Sequence, residues 1–153
     1  MAKQSAGILL YRLIDNLPEI FLIHPGGPFW KNKDEGVWSI PKGEVADDEK
    51  ALDAAIREFE EETGTKLSGE FIALTPVKQK SGKMVYAWAL EGDTDASKII
   101  CNTFTMEWPP KSGKFQSFPE ADKAEWFFIN EAKQKINPSQ AALIDELIQK
   151  IIV

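Results

Sequence analysis

Short hydrophobic runs alternate with turn-forming residues at the start of the chain. Residues 5–14 and 19–24 are apolar and partly β-branched, and the turn-forming residues 15–18 lie between them. Runs of this composition, separated in this way, are typical of two strands joined by a tight turn. The pattern therefore predicts a β-hairpin, which ends at the breaker sequence PGGP of residues 25–28.

Four further segments have the composition of strands: residues 37–40, 70–79, 83–91 and 124–129. Ser81 and Gly82 separate the second segment from the third, which predicts a hairpin with a two-residue loop. No internal repeat and no Pro/Gly/Ser-rich linker divides the sequence. Because 153 residues are also the usual size of one hydrophobic core, we expect residues 1–153 to form a single domain.

Two segments have helical spacing. In residues 47–64, Asp47 or Asp48 is placed to cap the N-terminus of a helix, and Gly64 is placed to end it. Its apolar positions form one narrow face that we expect to meet the core: Leu52, Ile56, Phe59 and Thr63. A second helix is predicted from Pro138 onwards. Strands before, between and after two helices favour an α/β or α+β fold with a mixed sheet.

The first predicted helix carries an unusual acidic face. Glu58, Glu61 and Glu62 project into an arc of about 100°, and only alanines share that arc. Like-charge repulsion and the helix dipole together disfavour these acids by on the order of 1–3 kcal/mol. A divalent cation would reverse both effects, because hard cations prefer oxygen ligands. The alternative is an acidic helix end that only faces solvent. Arg57, four residues before Glu61, is placed to orient the Glu61 carboxylate.

Composition narrows the partners and the chemistry. The chain is 43% hydrophobic and 27% charged, as in folded globular proteins, and no apolar run approaches the roughly 18 residues that cross a bilayer. The net charge of −6 disfavours a nucleic-acid duplex or an anionic membrane as partner. A single Cys101 and a single His24 can form neither an internal disulfide nor a Cys/His zinc site. We therefore expect a cytoplasmic protein with oxygen-ligand metal chemistry.

Seven residues between positions 43 and 65 stand at the fixed positions of a known signature: Gly43, Glu49, Arg57, Glu58, Glu61, Glu62 and Gly64. The segment thereby resembles the box of the Nudix hydrolases, G-x5-E-x7-R-E-U-x-E-E-x-G-U, in which U is a bulky aliphatic residue. Phe59 and Thr65 depart from aliphatic positions, which affects packing and not charge. Elsewhere, HPGGPFW, WSIPKGE, EWPP and FPEADKAEWF are similar to a MutT-like bacterial subgroup of predicted nucleoside-triphosphate-type pyrophosphohydrolases.

The resemblance implies a Nudix-type α/β/α sandwich with a mixed sheet. It also implies an enzyme that hydrolyses a phosphoanhydride bond in a nucleoside diphosphate linked to another moiety, so the partner would be a small-molecule nucleotide. Glu58, Glu61 and Glu62 would hold Mg²⁺ or Mn²⁺, with the Gly43 carbonyl as a further ligand. Together with Arg57 these glutamates would be the catalytic residues. The resemblance leaves open the number of metals, the leaving group and the oligomeric state.

Residues outside the acidic face each have two interpretations. Lys42 contacts a substrate phosphate or is an exposed turn lysine, and Trp38 stacks on a base or belongs to the core. His24 touches substrate or is structural, and Cys101 has no assigned role. The general base is Glu61 or one of three downstream acids: Glu120, Asp122 and Glu125.

Three other functions remain as alternatives. A hydrolase of dinucleoside polyphosphates would share the approach Trp-x-x-Pro-Lys-Gly that residues 38–43 display. A nucleotide or metabolite sensor would keep the fold without turnover, and a structural domain would use the metal only for stability. Sensors of this kind often lose a glutamate of the box, and here every one is present, which favours an enzyme.

Overall fold

The computed structural model describes residues 4–151. Within them lie nine strands: β1 (Gln4–Ile14), β2 (Leu17–Pro25), β3 (Lys42–Glu44), β4 (Ile72–Ala73), β5 (Val77–Lys78), β6 (Met84–Glu91), β7 (Thr103–Glu107), β8 (Phe115–Pro119) and β9 (Ala121–Phe128). The same residues include three α-helices: α1 (Ala51–Thr63), α2 (Ile129–Lys135) and α3 (Ala141–Ile151). Short 3₁₀ helices lie at Ala96–Lys98 and Pro138–Gln140. No helix in the described part of the chain is long and apolar enough to cross a membrane.

The main sheet is mixed, as predicted. Its strands lie in the order β4–β6–β1–β2–β9, in which β1 and β6 are parallel and the other neighbours are antiparallel. β3 pairs with residues 5–7 of β1, whereas β2 pairs with residues 11–14 of the same strand. Residues 38–44 therefore enter the sheet between β1 and β2, where Ser39 bridges to Ile23. This arrangement brings the turn that contains Gly43 beside α1.

The two faces of the sheet border two hydrophobic cores, because successive side chains of a strand point to opposite faces. Ile8 and Leu10 of β1 lie in the core that includes Phe59 of α1. Leu9 and Tyr11 lie in the other core, which α2 and α3 cover. The sheet is thus sandwiched between α1 on one face and α2 and α3 on the other. This arrangement confirms the predicted α/β/α class.

Most of the predicted elements are present. The first hairpin is β1–β2, and its turn residues Asp15 and Asn16 have φ angles of 52° and 67°, which suit a tight hairpin turn. β9 contains the predicted late strand and begins at Ala121. The helix predicted from Pro138 is the short 3₁₀ turn followed by α3. Residues 37–40, predicted as a strand, make only isolated bridges.

The second predicted hairpin has a different loop. Gln79 N–H donates to the Lys83 carbonyl and Gly82 has a φ of +91°, so the loop has three residues and not two. The first arm, residues 70–79, is divided into β4 and β5. Pro76 lies in the interruption, where its missing N–H cannot join a strand ladder.

α1 ends as predicted but begins differently. Gly64 forms the C-cap in the left-handed region, with a φ of 81°. The N-cap is Lys50, which makes no side-chain capping bond, so the prediction of Asp47 or Asp48 as the cap is wrong. Ala54 and Ala55, predicted to share the solvent face with the acids, are fully buried. Because these alanine side chains are small, this face of α1 packs closely against the sheet, and the acids on the same face are brought closer to the sheet with it.

Among the strands and α-helices of the described residues, β3, α2, β7 and β8 were not predicted. α2 directly follows β9 and contributes Ala132 to the core that it covers. β7 and β8 form a separate antiparallel hairpin, in which Thr103 pairs with Pro119 and Glu107 with Phe115.

Candidate active site

The acidic face of α1 lies against β3, and the absence of a side chain at Gly43 allows this contact. A Cβ atom added to Gly43 would lie 2.0 Å from Cδ of Glu58, so any larger residue would displace that carboxylate. A Cβ at Gly7, on the neighbouring strand, would lie 2.6 Å from the Pro41 carbonyl oxygen. The missing side chain of Gly43 therefore makes the space in which the Glu58 carboxylate lies, and that of Gly7 lets residues 40–42 lie close to β1.

Arg57 connects this carboxylate to the loop before the helix. Its Nε and Nη2 donate to the two carboxylate oxygens of Glu49, at 2.8 and 2.9 Å. Its Nη1 donates to Glu58 Oε1 at 2.9 Å and to Glu61 Oε2 at 3.1 Å. The bidentate partner of Arg57 is therefore Glu49, and the predicted contact with Glu61 is one of two shared by a single nitrogen. Hydrogen bonding to Arg57 lowers the pKa of Glu49 to about 2.

Glu62 is the acid that the fold buries most deeply. It is 8% exposed, and its Oε2 has no hydrogen-bond partner. Burial, followed by repulsion from Glu58 and Glu120, raises the pKa of Glu62 to about 9, although the Lys42 ammonium acts in the opposite direction. Burial also raises the pKa of Glu58. At neutral pH the cluster therefore favours a bound proton, or a cation in its place, at Glu62.

Lys42 lies beside these acids at the start of β3. It is partly buried, and burial lowers its pKa while the charges of Glu62 and Glu58 oppose that change. Its interaction with two acids of the box distinguishes Lys42 from an ordinary exposed turn lysine.

The acids do not form a preformed metal cage. Among residues 4–151, no three or more His, Cys, Asp or Glu side chains are arranged to hold a metal ion. Arg57 holds both Glu58 and Glu61 through a single nitrogen, Nη1. The chemistry of the site nevertheless fits a divalent cation, because the buried Glu62 Oε2 lacks a partner and hard cations bind carboxylate oxygens.

The structure separates the three downstream acids. Glu120 lies between β8 and β9, near enough to Glu58 and Glu62 to repel their charges. Asp122 is bound to His24, with 2.8 Å between its Oδ1 and the His24 Nδ1. Glu125 lies two residues before Phe127 in β9, and Phe127 packs in the core under α2 and α3. Side chains two apart in a strand share a face, so Glu125 points away from α1.

A family model described as NUDIX domain matches residues 3–147, nearly the whole chain. The chain belongs to the NUDIX family. The matched residues include the signature residues and the acidic face of α1.

Curated proteins similar to this Nudix chain include an RNA pyrophosphohydrolase and an mRNA-decapping protein of African swine fever virus. The RNA pyrophosphohydrolase of Bartonella tribocorum is 30% identical over 104 residues, 58% of this chain and 55% of that protein. The chain spans about half or less of the length of the curated relatives it matches.

Solved structures share the fold over almost the entire chain. The Ap4A hydrolase of C. elegans, as a binary complex, has a TM-score of 0.65 and 20% identity, covering 98% of both chains. The NUDIX domain of Shewanella oneidensis NrtR, complexed with ADP ribose, has a TM-score of 0.66 and 12% identity, covering 99% of this chain and 89% of that one.

Trp38 does not lie in the Nudix site, which corrects the prediction that it binds substrate. It is 1% exposed, in the core on the far side of the sheet from α1. Its ring packs edge-on against Phe127, and its Nε1 donates to Asp34. A base could reach this ring only if the core opened.

His24 is structural. It is 1% exposed, and its two ring nitrogens lie 2.8 Å from Asp122 Oδ1 and 2.6 Å from the Lys33 carbonyl. These contacts join the end of β2 to β9 and to the loop that follows the PGGP segment.

Sequence reasoning left two features of the site open. It did not identify Glu49 as the main partner of Arg57, and it named Glu120 only as one of three downstream candidates for the general base. The eight-residue separation of Glu49 and Arg57 is compatible with this ion pair, since a loop that precedes a helix can fold against the second turn of that helix. The position of Glu120 had no signal in the sequence, because it depends on how β8 and β9 pack against α1.

Proposed function

We propose that this chain hydrolyses a phosphoanhydride bond in a nucleoside diphosphate linked to another moiety, with Mg²⁺ or Mn²⁺ as cofactor. The observation that carries the proposal is the Oε2 atom of Glu62, which is buried and has no hydrogen-bond partner. Members of the NUDIX family generally use divalent metal ions, which supports the same interpretation.

Glu58 and Glu62 would hold the cation, with Glu61 and the Gly43 carbonyl as further ligands. A bound divalent cation neutralises phosphate charge, lowers the pKa of water and stabilises the leaving phosphate. Lys42, beside Glu62, supplies a point charge for a phosphate oxygen.

Arg57 would act as a positioning residue. Its bidentate bond to Glu49 holds the guanidinium in place, and its Nη1 restrains Glu58 and Glu61. It therefore sets the direction of two of the carboxylates that face the phosphates.

Glu120 is our choice for the general base. Its side chain is exposed and lies close to Glu58 and Glu62, so it can reach water beside the phosphates. Glu61 is the other candidate near the box, but Arg57 already engages its carboxylate. Asp122 and Glu125 are less suitable, because one is bound to His24 and the other points away from α1.

Two other functions have specific support. The structural likeness to an Ap4A hydrolase, together with the Trp-x-x-Pro-Lys-Gly approach at residues 38–43, favours a dinucleoside polyphosphate as the second candidate substrate. The likeness to the NrtR domain complexed with ADP ribose supports binding of a nucleotide-derived ligand, which an enzyme or a sensor would share, and the complete set of box glutamates favours turnover. A domain that uses the metal for stability alone remains the third alternative, and it predicts metal binding with neither binding nor turnover of any nucleotide.

The test is a screen of nucleoside triphosphates, dinucleoside polyphosphates, sugar nucleotides and dinucleotide cofactors with Mg²⁺ or Mn²⁺. Product identity and phosphate release are measured for the parent, a Glu58→Gln/Glu62→Gln double variant and Glu60→Gln. Glu60 is exposed on the same helix, so its substitution makes a similar charge change outside the site. Turnover by the parent and Glu60→Gln but not by the double variant supports the proposal. Nucleotide binding without turnover by any of them would replace it with the sensor.

A further inference from the structure

The β7–β8 hairpin carries an aromatic pair that belongs to neither core. Phe104 and Phe118 are directly opposite each other in the ladder, with ring centroids 6.0 Å apart and an angle of 40° between the ring planes. Both side chains are partly exposed, and neither is a member of the two hydrophobic clusters among the described residues. Core packing therefore does not explain why these two aromatic side chains lie together.

The hairpin starts and ends at the candidate active site. On the way into β7, Ile100 N–H donates to the Thr63 carbonyl at the end of α1. The next ladder bond beyond Thr103 joins Glu120 N–H to the Asn102 carbonyl at 2.9 Å. The two strands of the hairpin therefore leave from beside the C-terminal end of α1 and from Glu120.

Phe118 is consequently close to the acids of the box. It lies two residues before Glu120, so their Cα atoms cannot be more than about 7 Å apart. Glu120 in turn is near enough to Glu58 and Glu62 to repel their charges. A ligand with its phosphates at these acids would extend its next group towards the aromatic pair.

The glycine loop after β2 forms the neighbouring wall. A Cβ added to Gly27 would lie 2.9 Å from Phe104 Cζ, so the ring lies directly on the loop backbone. Gly26 N–H donates to the Glu120 carbonyl at 2.9 Å, which fixes the loop beside the base of the hairpin. The ring of Phe104 is thus held from one side while part of it stays open to solvent.

We propose that Phe104 and Phe118 form the platform on which the base of the bound nucleotide stacks. This proposal rests on the proposed function and names the part of the enzyme that recognises the nucleoside. Aromatic rings bind bases through their π faces, and phenylalanine has no polar group with which to read base edges. The platform therefore accepts several bases and discriminates against phosphate compounds that have none.

The test compares Phe104→Leu and Phe118→Leu with Phe115→Leu. Phe115 is 68% exposed on the same hairpin, and its odd separation from Phe118 in β8 places it on the opposite face. Initial rates are measured with four nucleoside triphosphates and with ribose 5-triphosphate, which lacks a base. Melting temperatures establish that each variant is folded.

We expect Phe104→Leu and Phe118→Leu to raise KM for the nucleotides by roughly 5- to 100-fold with little change in kcat. KM for ribose 5-triphosphate should stay within twofold, and Phe115→Leu should resemble the parent with every substrate. Equal effects on substrates with and without a base, or the same loss in Phe115→Leu, would overturn the platform while hydrolysis stands.

A binding measurement separates this proposal from the proposed function. Calorimetric titration with a nucleoside monophosphate and Mg²⁺ reports the platform even if no substrate is turned over. Weaker binding to Phe104→Leu and Phe118→Leu, but not to Phe115→Leu, would support the platform in an enzyme or a sensor. Unchanged binding to all three variants, or no binding to the parent, would overturn it.

Discussion

At the scale of single residues, Glu62 shows how burial changes the chemistry of an acid. Its position on α1 beside Ala55 would leave it exposed on an isolated helix, but this face packs closely against the sheet. The carboxylate loses water, faces Glu58 and Glu120, and keeps one oxygen without a partner. The free energy that this arrangement costs is recovered when a proton or a cation binds.

Stability of the metal-free protein should therefore fall as the pH rises. The folded-state pKa of Glu62 is about 9, above its ordinary value in the unfolded chain. The stability that Glu62 contributes is therefore fully present below the unfolded-state pKa and is lost as the pH rises through the folded-state pKa. Between about pH 4.5 and 9 this group lowers the unfolding free energy by up to about 1.4 kcal/mol per pH unit. Denaturant unfolding in chelator at several pH values measures the slope, which should flatten in Glu62→Gln.

Millimolar Mg²⁺ or Mn²⁺ should remove most of this loss at high pH. Binding to the folded state adds about 2.7 kcal/mol at a hundredfold excess over Kd. Glu60→Gln should keep the metal response, and Glu58→Gln/Glu62→Gln should lack it. If neither metal nor chelator changes the unfolding midpoint of the parent protein, a cation site at Glu62 is contradicted.

A second prediction concerns Gly43. Gly43→Ala places a methyl group on the Glu58 carboxylate, so we expect activity to fall at least about 100-fold through displacement of a metal ligand. The steric origin of the effect is tested by stability, since Gly43→Ala/Glu58→Ala should melt higher than Gly43→Ala alone. If Gly43→Ala retains activity near that of the parent, the packing of Glu58 on this glycine has no functional role.

At the scale of elements, the loop before α1 and the middle of α1 behave as one unit joined by Arg57 and Glu49. Arg57→Lys keeps the charge but cannot make two parallel bonds to one carboxylate. We expect kcat to fall at least about tenfold while KM changes little, because the acids lose their orientation and the phosphate contacts remain.

Glu49→Gln is the companion variant. Since Glu49 is the bidentate partner, its substitution should reproduce the defect of Arg57→Lys and add little when the two are combined. Full activity in Glu49→Gln, with a defect in Glu61→Gln, would mean that Arg57 acts through Glu61 after all.

The element that sequence reasoning missed most completely is the β7–β8 hairpin. β7 alternates polar and apolar residues, Thr-Phe-Thr-Met-Glu, which is a strand signal that sequence reasoning missed, whereas β8 shows no strict alternation and none of its residues is buried. Glu107 closes its tip by accepting hydrogen bonds from Lys111 N–H and Gly113 N–H.

At the scale of the whole molecule, one sheet supports both cores, so the two helical layers should not unfold independently. We propose that residues 1–153 unfold as one cooperative unit. Leu143→Ala on α3 and Phe59→Ala on α1 should each lower the free energy of unfolding by about 2–5 kcal/mol, because both side chains are fully buried. Far-ultraviolet circular dichroism and tryptophan fluorescence should give coincident transitions in both variants. Separated transitions would indicate two units.

The sequence by itself determined the features that depend on neighbours along the chain. Apolar runs bounded by turn residues predicted β1–β2, helical spacing predicted α1 and α3, and a glycine correctly marked the end of α1 at Gly64. The seven signature positions between Gly43 and Gly64 were also sufficient for the resemblance to the Nudix box. These predictions needed no knowledge of how elements pack.

Tertiary structure decided everything that depends on where elements meet. It placed Trp38 in the core, buried Glu62 against the sheet, gave Arg57 its partner Glu49 and brought Glu120 to the box. The physical reason is that local periodicity sets the direction of a side chain only relative to its own helix or strand. Burial, and with it the strength of every charge interaction in the site, is set by the elements that pack around that side chain.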